Sequence, residues 1–313
     1  MNLHLSTTCA AVALTRWLRG CLFCAGILLP VFPAHSATNA IPVPQPGTLA
    51  YHLATNAVAH AAGFTGSRAD MVEFQAPFSL RLERFFAPAW SAEFWLKDVQ
   101  GLSATAIGFS DVYNGQGLPT MVSPRHYLCA THMHSELRTL GFLDVNNRVY
   151  WRKTLQRVDL GNDTSVGLLA ADLPASVGFL PVLPENYTNY LPVVSGSYVQ
   201  GIGMNQDMRL FGEPMTFANG AFINWDSRLA APLGLTTNWN VTIRGGDSSN
   251  PALLLIGHQL VLVSHNYWAG GGPNYARQFH AINEKMHLLS TNNQVGSDYQ
   301  LTTFPLTNWP VIH

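Results

Sequence analysis

The chain has 313 residues, 47% of them apolar, and only 11% are Asp, Glu, Lys or Arg, against about 25% in an average globular protein. A formal net charge of −1, with no basic cluster in view, excludes the electrostatic footprint that nucleic acid requires. The length suits one large β domain or two smaller ones.

The first 36 residues read as a signal peptide. Arg16 and Arg19 close a leader without acidic residues, Cys21–Phe32 form an apolar core, and Ala34 and Ser36 place small residues at minus three and minus one of a cut after Ser36. The apolar run is interrupted by Pro30 and falls short of the roughly 20 residues that span a bilayer, so no stable membrane span is expected. The pattern predicts a secreted or periplasmic protein. Cys9, Cys21 and Cys24 lie in the leader, which leaves Cys129 alone in the mature chain and allows no internal disulfide framework. In "HYLCAT", Cys129 reads as a small buried hydrophobe.

Residues 37–70 form a Pro- and Ala-rich N-terminal arm in which Tyr51–Gly63 suits a short helix. From about Met71 the texture is β. "AEFWLKDVQG", "ATAIGFSDV", "HYLCATHM", "RVYWRKTLQRV", "VGLLAADL", "NYLPVVSG", "VQGIGM" and "ALLLIGHQLVLVSH" are short runs rich in Val, Ile, Tyr, Phe and Trp, separated by Gly, Pro, Asn and Asp. "DVNNRV" (144–149) reads as a hairpin turn. "NYARQFHAINEKMHLLS" (274–290) is the convincing late helix, with Phe279, Ile282, Met286 and Leu289 at helical spacing. Many short strands at regular spacing predict an all-β sandwich or pair of barrels, not a parallel sheet.

Three stretches carry chemistry. A strand ends at Thr131-His132 in "CATHM"; Asp163 in "NDTSVGLL" leaves a loop and is pinned by the apolar run behind it; Ser248 sits in "GGDSSNP" before a buried strand. Taken singly, each has a bland reading: a structural histidine, a loop acid with rivals in Asp159 and Asp172, a polar turn. Together, in the order His, Asp, Ser, they resemble the trypsin/chymotrypsin-like serine peptidases, with their Ala-Ala-His-Cys, Asn-Asp-Ile-x-Leu-Leu and Gly-Asp-Ser-Gly-Gly-Pro motifs. The similarity covers these motifs and the strand texture across residues of about 90 to 290, in a divergent, disulfide-free form.

The resemblance implies two antiparallel β-barrels with the site at their junction and a C-terminal helix, the first barrel in 71–175 and the second in 176–313. It implies a secreted serine endopeptidase that hydrolyses peptide bonds through an acyl-enzyme, needs no cofactor or metal, and takes a peptide or protein substrate. Ser248 would be the nucleophile, His132 its base and Asp163 the group that orients the imidazole. The N–H groups of Gly246 and Ser248 would form the oxyanion hole. Ser264 corresponds to the family's serine beside the catalytic acid, and the strand that follows it would pair with substrate. Gly270, Gly271 and Gly272 would wall a specificity pocket floored by Thr242. The trypsin branch has Asp at that position, so an apolar or small side chain is expected in place of Lys or Arg.

The chain departs from the family pattern at several positions. Ser249 and Asn250 stand where the family has two glycines, and Met133 stands for a half-cystine. No Ile-Val-Gly-Gly-like start is visible near the expected position, so either Asp247, which pairs with the freed N-terminus in activated members, has another partner, or the mature start lies elsewhere in the chain. These departures define a second hypothesis, a catalytically inactive peptidase-fold binding or adhesion protein. A metal face of His132, His134 and Glu136 lacks a fourth-ligand pattern, although His258, His265, His280 and His287 remain in the chain. An α/β-hydrolase is disfavoured because Gly-x-Ser-x-Gly is absent around Ser248. Asn162, Asn186 and Asn240 lie in Asn-x-Ser/Thr sequons.

Overall fold

The computed structural model describes residues 44–62, 74–78, 88–110, 112–113, 115–133, 138–192, 198–218, 222–226, 243–267 and 270–312. The leader, His134, Glu136, Asn240 and Thr242 lie outside the described residues.

The protein is all-β with one C-terminal helix, built on two antiparallel sheets. The first has β1 (Gly108–Phe109), β2 (Val112–Tyr113), β3 (Thr120–Met121), β4 (His126–Ala130), β5 (Thr139–Leu143), β6 (Val149–Gly161) and β7 (Thr164–Leu169), in the order β2-β1-β5-β6-β7-β4-β3. It closes on itself. Thr105, just ahead of β1, bridges to Thr120 of β3, the Ala106 N–H donates to the Pro119 carbonyl at 2.9 Å, and the Ile107 N–H donates to Gly141 on β5 at 2.8 Å. The curvature comes from β6, whose residues 149–153 pair with β5 and whose residues 154–161 pair with β7 across two register shifts.

The second sheet has β8 (Val199–Met204), β9 (Leu210–Ala218), β10 (Phe222–Trp225), β11 (Pro251–Ile256), β12 (Gln259–His265) and β13 (Gly271–Pro273), in the order β12-β11-β8-β9-β10-β13. Its outer strands meet as well: the Tyr267 N–H donates to the Gly271 carbonyl at 2.9 Å and Ser264 Oγ donates to Pro273 O at 2.7 Å. Closure abolishes the exposed edges that open sheets must protect.

Strand alternation explains why the β11–β12 hairpin, turning at Gly257–His258, reads as an almost unbroken apolar run. Leu253, Leu255, Leu260 and Leu262 face a core shared with the first barrel, while Leu254, Ile256, Val261 and Val263 face a second core. α1 (Leu49–Ala61) buries Leu49, Leu53, Ala57 and Ala61 at four-residue spacing, with Leu49 and Leu53 in the second core and Ala61 in the first, and is capped by the Thr48 hydroxyl. The predicted late helix begins as a 3-10 turn over Tyr275–Gln278, capped by Asn274, and continues as α2 (Phe279–Asn292). It buries Ile282, Met286 and Leu289 against β6 and β7.

Two expected strands differ. "AEFWLKDVQG" folds as successive turns, with Lys97 N–H bonded to Phe94 O and Val99 N–H to Leu96 O, because burying Phe94, Trp95 and Leu96 together needs a coiled path. The first part of "NYLPVVSG" closes a 3-10 turn over Glu185–Asn189, and its 193–196 part lies outside the described residues. The predicted hairpin at 144–149 is present as a five-residue loop. The Asp144 carboxylate organises it by accepting the N–H groups of Asn146 and Arg148, both at 2.8 Å, and the Ser176 hydroxyl at 2.8 Å.

Candidate active site

Strand register brings His132 and Asp163 together. β4 pairs with β7 so that Ala130 lies opposite Thr164, and both strands then run out at the same end of the barrel. Asp163 occupies the two-residue turn between β6 and β7, with Asn162 at φ 50° and Asp163 at φ 56°, the left-handed pair of a type I′ hairpin. Asn and Asp tolerate that geometry better than other side-chain-bearing residues. The Thr131 N–H donates to the Asp163 carbonyl at 2.9 Å and the His132 N–H to Asp163 Oδ1 at 3.0 Å. His132 Nδ1 then meets Asp163 Oδ2 at 2.6 Å. The carboxylate thus grips backbone and ring of the same histidine. Nδ1 carries its proton toward the acid, and Nε2 is left as the ring's free base. The rival Asp159 accepts the Thr131 hydroxyl at 3.0 Å, and Asp172 faces Arg125 at 3.7 Å; neither is bonded to His132.

Ser248 lies on the loop before β11 and is half-buried. Its hydroxyl donates to the Tyr267 carbonyl at 3.4 Å, and no hydrogen bond joins it to His132 among the described residues. Around it the amides fall into two sets. Those of Asp247, Ser249 and Asn250 donate to Arg244 O, Asn266 O and Asp247 O at 3.0, 2.7 and 3.1 Å. Those of Gly246 and Ser248 donate to no acceptor among the described residues, the state an oxyanion hole requires before substrate arrives. Gly246 has φ 103°, a conformation that calls for glycine, and a Cβ there would also displace the end of the Gln206 side chain, 2.7 Å away at Oε1.

The residues that depart from the family motif are pinned to the first barrel. Ser249 Oγ accepts the Ala130 N–H at 2.8 Å, two residues before His132. Asn250 Oδ1 accepts the Leu118 N–H at 2.9 Å, and its Nδ2 donates to Gly115 O at 3.0 Å. Ser249 adopts φ 72°, a conformation costly for a residue with a Cβ, which these buried bonds oppose. Asp247, 1% exposed, accepts the Arg244 N–H on Oδ2 at 2.6 Å and the Gln206 N–H on Oδ1. Burial pushes its carboxyl above the usual range, and those two amides hold it down. Its partners are backbone amides, one of them from the β8–β9 loop.

The Ser264 hydroxyl makes no hydrogen bond to Asp163 among the described residues. The residue is fully buried in the seam between β12 and β13, where its hydroxyl bonds Pro273 O. The neighbour of Asp163 is His265, which composition and motif did not single out. Its Nε2 meets the Asp163 carbonyl at 3.1 Å and its Nδ1 meets the Tyr275 hydroxyl. A carbonyl only accepts, so Nε2 bears the proton and Tyr275 donates to Nδ1. Burial lowers the His265 pKa to about 4 and keeps the ring neutral. The signal that marked His132, a histidine at the end of an apolar strand, is present at His265 too. Of the three glycines expected at a pocket wall, Gly271 and Gly272 are buried in the barrel seam. A Cβ on Gly272 would lie 1.6 Å from His265 O, so that glycine permits strand closure. Gly270 differs: a Cβ there would meet no heavy atom of the described residues within 4 Å.

Cys129 is fully buried, and burial raises its thiol to about 11, far from a reactive thiolate. Among the described residues no group of three His, Cys, Asp or Glu is placed to hold a metal ion, and no helix is long and apolar enough to cross a membrane. A cavity of about 570 Å³ lies elsewhere, between Trp90–Ser103 and Ala175–Phe179, and none of the candidate residues lines it. Hydrogen bonding and residue type, not concavity, mark the site.

No family model matches the chain, and no curated protein matches it. Among solved structures it is similar to neuropsin, a serine protease expressed in the limbic system of mouse brain. The match has 12% identity and a TM-score of 0.43, covering 60% of this chain and 95% of that one. A likeness of that size carries no functional argument.

Proposed function

We propose that the protein is an exported serine endopeptidase that cleaves peptide bonds through an acyl-enzyme on Ser248. The observation that carries this reading is the two-point grip of Asp163 on His132, at 3.0 Å to the backbone and 2.6 Å to Nδ1. The Ser249–Ala130 bond supports it by tying the Ser248 loop to the same strand end. In the reading, His132 Nε2 takes the Ser248 proton as Oγ attacks the scissile carbonyl. Asp163 stabilises the imidazolium, and the Gly246 and Ser248 amides receive the oxyanion. His132 then protonates the leaving amine, and water repeats the sequence on the acyl-enzyme. The signal-peptide pattern of residues 1–36 supports export, and the two sheets support assigning residues 71–175 and 176–313 to one barrel each.

One observation favours a second reading, a peptidase-fold binding protein without catalysis. Ser248 Oγ bonds the Tyr267 carbonyl and not His132. Fluorophosphonate labelling with mass mapping separates the two. An adduct on Ser248 that is absent from Ser248→Ala and His132→Ala supports the peptidase; a folded protein that takes no label supports the binding protein.

A further inference from the structure

The Gly246 and Ser248 amides sit on peptide planes that are pinned by their carbonyls. A trans peptide is flat, so fixing its carbonyl aims its N–H the opposite way. The Asp247 carbonyl accepts the Asn250 N–H at 3.1 Å, which turns the Ser248 N–H away from that bond. The Gly246 carbonyl accepts the Gly117 N–H at 3.2 Å and fixes the plane between the two amides. The plane that carries the Gly246 N–H has its Gly245 carbonyl bonded to Gln206 Nε2 at 3.2 Å. Two of these three anchors are backbone amides. The third is a side chain, from the β8–β9 turn.

Gln206 meets the loop on both sides of Gly246. A carbonyl only accepts, so the atom facing Gly245 O is the amide nitrogen, and the amide oxygen is left to accept Gln116 Nε2 at 3.0 Å. The backbone N–H of Gln206 donates to Asp247 Oδ1, while the Arg244 N–H takes Oδ2 at 2.6 Å. The turn that presents Gln206 is itself tied. Asn205 Oδ1 accepts the Asp207 and Arg209 N–H groups at 3.1 and 2.9 Å, and the Asp207 carboxylate pairs with the Arg244 guanidinium at 2.7 Å. Every one of these bonds joins described residues of the chain, and none waits on a freed chain end.

We propose that Gln206 is the positioning residue of the oxyanion hole and that it sets the Gly246 N–H as the chain folds, before any cleavage. The proposal rests on the peptidase reading above. Gln206 acts through the Gly245–Gly246 peptide and touches no substrate. That peptide joins two glycines, so with its carbonyl released no Cβ on either side restrains its rotation. A rotated plane withdraws one of the two donors from the negative charge that develops when Ser248 attacks.

The test is the rate of fluorophosphonate labelling of Ser248 in the intact chain, with Gln206→Met and Gln206→Glu beside the wild type. Position 206 is half-buried, and both variants keep the backbone N–H to Asp247. Methionine keeps the reach without a donor; glutamate keeps the shape and sets a carboxylate against the Gly245 carbonyl. The wild type is expected to label without proteolytic treatment. Gln206→Met is expected to label about 10-fold more slowly, short of the roughly 10²–10³-fold of losing such a donor outright, and Gln206→Glu more slowly still. Both variants are expected to reach the wild-type final extent, with the pH midpoint of the rate, set by His132, unmoved. Variants that label at the wild-type rate, or that lose final extent while the rate holds, overturn the proposal alone. A wild type that labels only after limited proteolysis does the same. A wild type that takes no label in either condition overturns the peptidase reading and this proposal with it.

Discussion

The Ala130 N–H donates to Ser249 Oγ at 2.8 Å, so the loop bearing Ser248 is bonded to the strand end bearing His132. That contact crosses from the second barrel to the first, and glycine at position 249 would not make it. It joins the Asn250 bonds to Gly115 and Leu118 and the His265 bond to the Asp163 carbonyl. Several cross-barrel bonds, each from a side chain in the second barrel to backbone in the first, thus converge on the candidate triad.

Position 249 separates two costs. Ser249→Ala leaves the buried Ala130 N–H without an acceptor and retains the φ of 72°, so a loss of about 1–3 kcal/mol in unfolding free energy is expected. Ser249→Gly loses the same bond but relieves the backbone strain, and its loss is expected to be smaller by about 1 kcal/mol. Urea denaturation of the two variants measures the difference, and an alanine variant as stable as the glycine variant contradicts it.

Asp163→Asn keeps the size of the side chain but can donate toward His132 Nδ1, which favours the wrong tautomer. If Ser248 is activated by His132, fluorophosphonate labelling is expected to slow on the order of 10⁴-fold, the size of the loss for this substitution in a Ser-His-Asp triad. Circular dichroism checks that the fold persists.

Two buried histidines are expected to make the protein acid-sensitive. His126 lies between the Ser123 hydroxyl at 2.9 Å and the Ser290 hydroxyl at 3.2 Å, and burial lowers its pKa to about 4, as it does for His265. Both values lie below the 6.5 of an exposed histidine, so the unfolded chain takes up protons first as pH falls. Their stabilising contribution is whole above about pH 6.5, declines as pH drops toward about 4, and is gone below that. Urea midpoints measured between pH 7 and pH 4 are expected to fall, and His126→Gln is expected to flatten part of the slope. Midpoints that stay level across that range contradict the assignment.

Cys129 is expected to resist thiol reagents in the folded protein. Burial raises its pKa to about 11, and it is fully enclosed within the first barrel. Mass mapping after iodoacetamide treatment should find Cys129 modified only when denaturant is present, whereas rapid labelling in native buffer would mean the barrel opens.

The legibility of the site follows the range of the interactions that build it. "CATHM" and "NDTSVGLL" were readable because each is a strand end or tight turn, governed by neighbours a few residues away. The β11–β12 run was readable as buried, but not as two strands facing two cores, because periodicity is lost when both faces are covered. Ser264 and His265 are adjacent and both sit at the end of an apolar strand. Which of them meets Asp163 depends on a register shift between Ala252 and Leu253 that no composition reveals.

By itself the sequence determined the all-β texture, the C-terminal helix, the polar turn before Pro251 and the three residue types of the candidate site, all encoded in local propensity and spacing. Tertiary structure alone decided that Asp163 grips His132 twice, that Asp247 is held by the amides of Gln206 and Arg244, and that Ser249 and Asn250 pin the barrels together. Those bonds join residues separated by 3 to 135 positions, most of them by more than 30. Their partners are mostly backbone N–H and C=O groups, which every residue type but proline offers alike, so only the closure of both barrels selects among them.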